Sequence, residues 1–279
     1  MSPSAPPLTV GLAQIDSRLG DLPANVERHL EWIERGREAG VDLLLFPELS
    51  LTGYRLLHLT SRVSLPIHDS VEVRRLAEAT GSMSVVFGVV EEDVDGVLYN
   101  SAVLVREGAI QHVHRKLYLP TYGIFQEGRF FGPGDRLEPA GGSDRDLGLL
   151  ICEDLWHPGL ARRLAISGMK ILLVCSAGPG RIGAGERPDS QESWEVLTRS
   201  TALVNTCWVV YCNRVGWEEG SFYGGGSHVV RPGGEIVERA GFLGEELLVT
   251  RIDPREADRL RWRLPLVRDV RDDIRGPEA

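Results

Sequence analysis

Leu147-Gly148-Leu149-Leu150-Ile151-Cys152-Glu153-Asp154-Leu155-Trp156 is an unbroken apolar run that ends on a thiol and turns at once into acidic residues. Five apolar residues in a row suit a strand buried in a sheet. A buried strand that delivers a cysteine to its last position and then turns sharply is one way to build a nucleophile. Two other strand exits read the same way. Leu43-Leu44-Leu45-Phe46-Pro47-Glu48 ends on a carboxylate, and His114-Arg115-Lys116-Leu117-Tyr118-Leu119-Pro120 carries a lysine.

Outward from these three points the chain alternates strand and helix. Leu8 to Gln14 reads as a strand. Asp21 to Pro23 opens a helix with an acid near the cap and proline in the first turn; Val26, Leu30 and Ile33 form its inner stripe and Gly40 closes it. Val41 to Phe46 is apolar throughout, as a strand covered on both faces should be. Ser70 to Gly81 reads as a helix. Ser84 to Glu91, Tyr99 to Arg106 and Ile110 to His114 follow, joined at Asp95-Gly96 and Glu107-Gly108 in an antiparallel meander. After the Cys152 strand come a helix from Pro158 to Gly168, a strand from Ile171 to Cys175, a helix from Gln191 to Asn205 and a strand from Cys207 to Asn213. Hairpin strands at His228–Arg231 and Glu235–Glu238 and a last strand at Glu246–Ile252 end the series. Strand–helix–strand followed by hairpin strands occurs in each half. The order predicts an α/β protein with a mixed sheet in each half, packed face to face with helices outside. Pro254 to Ala279 reads as a loose surface arm anchored by Trp262, Leu264 and Leu266.

The 279 residues are 42% hydrophobic and 25% charged, with a net charge of −9 and no clustered basic face, so a nucleic-acid partner is not expected. Even spacing of the apolar runs favours a single domain. No apolar run approaches the roughly 20 residues of a membrane helix. Met1 to Pro7 lacks the charged start and apolar stretch of a secretory signal. Cytoplasmic localisation with reduced thiols is therefore expected for Cys152, Cys175, Cys207 and Cys212. His112 and His114 have no ligand-spaced partners, so they mark one face of a strand and no metal is expected.

Three unlike groups at three strand exits suit hydrolysis of an amide through a thioester. A thiol of reference pKa about 8.5 is mostly protonated at neutral pH and needs a base. Glu48 fits that role if Phe46, Pro47 and Tyr54 wall it in, and it can later hand a proton to departing ammonia. Lys116 can meet the developing oxyanion, with the backbone N–H of Glu153 as second donor. Alone, each residue would be an ordinary surface charge or core cysteine.

Together with their flanks, they resemble a known family. Phe46-Pro47-Glu48-Leu49-Ser50-Leu51-Thr52-Gly53-Tyr54, His114 to Pro120 and Leu149 to Trp156 are similar to the three signature blocks of the nitrilase (carbon–nitrogen hydrolase) superfamily, in the family's chain order. The resemblance implies a four-layer αββα sandwich as one domain over 1–279, with a core of about 8–252 and a C-terminal arm over 253–279. It implies Glu48 as general base and acid, Lys116 as oxyanion stabiliser and Cys152 as nucleophile. Glu127 matches the second glutamate that holds the lysine and helps place substrate or water. No cofactor is implied, and pairing through the helices beside the nucleophile implies a homodimer or higher homo-oligomer. Within the superfamily the chain most resembles the glutaminase domain of glutamine-dependent NAD synthetase, through Glu48 to Tyr54, Tyr118 to Tyr122 leading to Phe125 and Glu127, and Cys152 to Trp156. Glu153 stands where true nitrilases carry tryptophan, which disfavours nitriles. Gly224-Gly225-Gly226 and Gly233-Gly234 read as hairpin glycines, because no Lys-Ser/Thr follows them. Ammonia passed to a joined synthetase domain is thus not expected, while a separate partner protein stays open. The expected activity is that of an amidase acting on a small primary amide, with a pocket of Tyr54, Tyr122, Phe125, Glu153, Ser176, Ala177 and Gly178. An N-carbamoyl or N-substituted amide hydrolase and a non-catalytic scaffold are the alternatives.

Overall fold

The computed structural model describes residues 6–140, 146–181 and 187–271. β1 (Leu8–Gln14) leads into α1 (Leu22–Glu38), whose first turn is capped by Asp21 Oδ1 accepting from Ala24 N at 3.2 Å. β2 (Leu43–Leu45) returns parallel to β1, with Val10 opposite Leu43. α2 (Val71–Ala79) is capped by Ser70 Oγ, which accepts from Val73 N at 3.2 Å. β3 (Ser84–Glu92) runs parallel to β2, and β4 (Leu98–Arg106) and β5 (Ala109–Arg115) complete the expected meander. Glu107 and Gly108 take φ of +52° and +76° in its second turn, the double left-handed conformation that a tight hairpin needs.

The second half supplies β6 (Leu147–Ile151), α3 (Pro158–Ile166), β7 (Ile171–Ser176), the short β8 (Pro179–Gly180), α4 (Gln191–Asn205) and β9 (Trp208–Asn213). β10 (Val215–Glu218), β11 (Ser221–Gly224), β12 (His228–Val230) and β13 (Ile236–Arg239) follow. The second sheet has the order β13-β12-β9-β7-β6, with β6, β7 and β9 parallel. β8, β10 and β11 make a small third sheet that the sequence reading did not expect.

The last strand departs from the one-sheet-per-half expectation. β14 (Glu246–Ile252) crosses to the first sheet and pairs antiparallel with β1, from Leu8 opposite Ile252 to Gln14 opposite Glu246. Its local pattern says only that it is a half-buried strand; the open edge of β1 decides where it goes. The C-terminal arm is a second correction. Residues 255–263 form α5 (Arg255–Arg263), with Glu256 and Asp258 in its first turn and Arg261 and Arg263 in its last, the order that the helix dipole favours. Ala257 is buried, while Trp262 is 87% exposed and Leu264 and Leu266 are about two-fifths exposed, so the expected anchors face solvent. Arg261 holds the helix instead, donating to Met169 O and Thr206 Oγ1. Residues 272–279 of the expected arm lie outside the described residues.

Alternation along the strands gives the four layers. Leu43 and Leu45 of β2 and Val86 of β3 point into the core shared with the second sheet, alongside Leu149, Leu173 and Val210. Leu44, Val85 and Phe87 point the other way, against Val26, Trp32 and Ile33 of α1 and Leu76 of α2. α3 and α4 cover the outer face of the second sheet through Leu164 and Trp194. The fold is thus the expected αββα sandwich, and it aligns the ends of β2, β5, β6 and β7 at one pole. Among the described residues no helix is long and apolar enough to cross a membrane.

Candidate active site

β6 ends at Ile151, and Cys152 takes φ +43° at the start of a single 3₁₀ turn, Cys152–Trp156. A left-handed conformation costs a non-glycine residue about 1–2 kcal/mol. The Asp154 carboxylate holds the turn closed. Its Oδ2 accepts from Ile151 N at 3.1 Å and lies 2.9 Å from His114 Nε2, while its Oδ1 accepts from Leu117 N and Tyr118 N, each at 3.0 Å. One buried carboxylate thus fastens the Cys152 turn to the segment that leaves β5 with Lys116. His114 and Asp154 were given no part in the sequence reading, where His114 merely marked a strand face. An aspartate two residues past the cysteine and a histidine two before the lysine were the available signal.

Glu48 follows β2 on a segment that crosses directly over β3. A Cβ at Gly88 would sit 2.1 Å from Leu49 N, so that crossing requires glycine. Ser50 Oγ accepts from Gly88 N at 3.2 Å and touches His29 Nε2 at 2.9 Å, which pins the segment to α1. Glu48 Oε1 accepts from Lys116 Nζ at 2.7 Å and from Asn100 Nδ2 at 2.8 Å; Oε2 accepts from Ala177 N at 2.9 Å. Asn100, on β4, is another residue that the sequence reading passed over. Glu127 Oε1 accepts from Lys116 Nζ at 2.6 Å and from Tyr54 OH at 2.5 Å, leaving its buried Oε2 without a partner among the described residues. Lys116 is therefore clasped between two carboxylates. Its strand exit is tied to that of the thiol by Asp154.

Ser176, at the end of β7, completes the convergence. Its Oγ donates toward Cys152 Sγ at 3.5 Å, and the next backbone N–H is the one bound to Glu48. Tyr122 OH donates to Glu153 Oε2 at 2.7 Å, and Phe125 stands edge-on to both Tyr54 and Tyr122. Tyr122 is more than half exposed, so this aromatic group forms the rim. All the predicted site residues therefore lie at one pole, with Glu48, Lys116, Glu127, Tyr54 and Ser176 innermost. Residues 182–186, between β8 and α4, lie outside the described residues.

Burial governs the electrostatics. It pulls the Lys116 ammonium down, but the Glu127 and Glu48 carboxylates overcome this and hold it well above the usual lysine range. Burial and the neighbouring Glu48 push Glu127 up to about 7, against the pull of Lys116. Burial and Glu48 also push the Cys152 thiol well above its ordinary value, while Lys116 and the Ser176 hydroxyl act the other way. The resting sulfur is thus a thiol, which would need an adjacent base before it could attack a carbonyl. All four cysteines are free and buried. Among the described residues no group of three or more His, Cys, Asp or Glu is placed to hold a metal ion.

Comparison with known proteins identifies the family and the fold. The carbon–nitrogen hydrolase family model matches residues 9–261. A glutamine-dependent NAD(+) synthetase from Thermotoga maritima is 32% identical over 250 residues, covering 88% of this chain and 42% of that protein. The chain spans less than half the length of the curated relatives it matches. A carbon–nitrogen hydrolase from Helicobacter pylori superposes with a TM-score of 0.82 at 27% identity, over 96% of both chains. The amidase from Nesterenkonia sp. in complex with acrylamide superposes with a TM-score of 0.80 at 26% identity, over 97% of both. The chain belongs to the carbon–nitrogen hydrolase family and is a hydrolase acting on carbon–nitrogen bonds.

Proposed function

We propose that the protein is a cytoplasmic amidase that releases ammonia from a small primary amide of glutamine type through a cysteine thioester. The observation that carries this reading is the Lys116 ammonium clasped by Glu48 and Glu127 beside the Cys152 thiol. Glu48 takes the thiol proton as sulfur attacks the amide carbon. The oxygen of the tetrahedral adduct gains its negative charge beside Lys116 and the backbone N–H of Glu153. Glu48 returns the proton to nitrogen, the C–N bond breaks, and ammonia leaves an acyl-thioester. A water then enters, Glu48 takes one of its protons, and the hydroxyl attacks. The carboxylic acid departs as sulfur recovers its proton. Glu127 keeps Lys116 aimed through both halves. The reaction as written uses no cofactor.

The Glu153 carboxylate, oriented by Tyr122 at the rim, supports a substrate bearing an amino group. The glutamine-dependent relative and the acrylamide-bound amidase favour primary amides. Pairing into a homodimer is supported by partly exposed apolar residues on α3 and α4: Ile166, Val196, Leu203 and Val204. Ammonia release from glutamine, short aliphatic amides and carbamoyl amino acids tests the reading. Turnover of primary amides that is lost in Cys152→Ser and Glu48→Gln is the expected result. Release from carbamoyl amino acids alone would replace the substrate class. No release from any of them would remove the amidase reading.

A further inference from the structure

Ser176 and Tyr211 form a buried hydrogen-bond chain that ends on the reacting atom. Tyr211 OH donates to Ser176 Oγ at 3.3 Å, and Ser176 Oγ donates to Cys152 Sγ at 3.5 Å, an ordinary length for an O–H···S contact. Both side chains are fully buried. Tyr211 is fixed on β9 between the rings of Trp194 and His228, at centroid distances of 5.0 and 4.9 Å, so its hydroxyl has a set direction. The acceptor role of Ser176 is taken by Tyr211, which leaves its own hydrogen for the sulfur. The other titratable groups acting on this sulfur are Glu48, Lys116, Glu127, Tyr54 and Tyr122. Lys116 Nζ already donates to both glutamates.

We propose that Ser176, backed by Tyr211, is the donor that holds the Cys152 sulfur once Glu48 has accepted its proton. This rests on the amidase reading above, and it makes Ser176 a catalytic residue and Tyr211 a positioning residue. A hydrogen bond to the charged form stabilises that form in a water-poor site, and the same bond is re-formed each time the thioester breaks.

The pH dependence of Cys152 alkylation by iodoacetamide, located by peptide mass spectrometry, tests the donor without any substrate. Ser176→Ala should move the midpoint up by about one pH unit and lower kcat about tenfold with little change in KM, the size of one charge-assisted hydrogen bond. Ser176→Thr should restore both. Tyr211→Phe should shift the midpoint the same way by less. The double variant Ser176→Ala/Tyr211→Phe, which strands no hydroxyl, should keep the Ser176→Ala shift. An unchanged midpoint in Ser176→Ala and in the double variant, with KM raised instead, would make Ser176 a substrate contact and overturn the proposal while the amidase reading stands. A shifted midpoint in a wild-type protein inert on every amide would overturn that reading and leave the donor in place.

Discussion

Two buried cations in this molecule are each held by two carboxylates, and they are built for different ends. Lys116 donates to Glu48 and Glu127 beside the thiol. Arg214, at the start of the small third sheet, donates to Glu218 Oε2 at 2.6 Å and Asp16 Oδ1 at 2.9 Å, and lies 4.4 Å over the Tyr223 ring. Glu218 spends its oxygens on structure, accepting from Tyr54 N at 3.0 Å and Arg55 N at 2.5 Å as well as from Arg214. Gly216, at φ +98°, lets the chain pass Asp16, since a Cβ there would meet that carboxylate at 2.1 Å. The arginine centre ties three chain segments together with a planar fork. The lysine centre is a point charge with one carboxylate oxygen unspent, on Glu127. That oxygen can take up a proton, whereas both oxygens of Glu218 already accept from N–H donors. Tyr54 joins the two, its N–H held by the first centre and its hydroxyl by the second.

Replacing each cation should break the symmetry between them. Lys116→Met should lower kcat by about a thousandfold, as loss of an oxyanion donor does. Its stability loss should stay modest, because Glu127, already near 7, can take up a proton to relieve the two buried carboxylates left without their cation. Arg214→Met should instead cost on the order of 3–5 kcal/mol of stability, the effect of stranding a buried carboxylate, with kcat of the folded fraction largely kept. Urea unfolding beside steady-state kinetics measures both. Equal stability losses would mean that the two centres do the same job.

Acid sharpens the contrast from another side. His29, which supports Ser50 of the Glu48 segment, and His228, on β12, are each pushed down to about 4 by burial. The folded state therefore binds fewer protons than the unfolded chain between about pH 6.5 and 4. Stability is full above that window and falls as pH drops through it, by on the order of 3 kcal/mol for each histidine. His29→Gln should flatten part of the slope in melting curves taken from pH 7 to 4. A slope unchanged in that variant would show that His29 is not the group being charged.

A smaller effect is expected from the carboxylate that joins the Cys152 turn to the lysine segment. Asp154→Asn sets an amide donor against the Ile151 N–H, because one oxygen cannot serve all four partners. The resulting displacement should lower kcat about 10- to 100-fold, with the far-ultraviolet spectrum unchanged. Full activity in Asp154→Asn would show that backbone geometry alone holds the turn.

The three strand exits were legible in the sequence because apolar runs and their terminal polar residues are local features. The layers followed from them, since runs apolar on both faces need cover on both. What escaped was set by distant pairing. β14 resembles any half-buried strand, and its place beside β1 follows only from which edge is open. Trp262 looked like an anchor by its size, yet α5 is held by the Arg261 guanidinium on Met169 O and Thr206. Asn100, His114 and Asp154 escaped because a supporting hydrogen bond leaves no periodicity, and each is an ordinary residue until its partner strand arrives.

The pairing of the final strand with the initial one also affects synthesis. The backbone edge of β1 leaves the ribosome long before its partner β14, which ends at Ile252. At about 5–20 residues per second, that edge waits on the order of 10 to 50 s for its native neighbour. An unpaired strand edge is a template for unwanted association. Shielding of Leu8–Gln14 by a chaperone during that interval should therefore govern how much active enzyme a cell obtains.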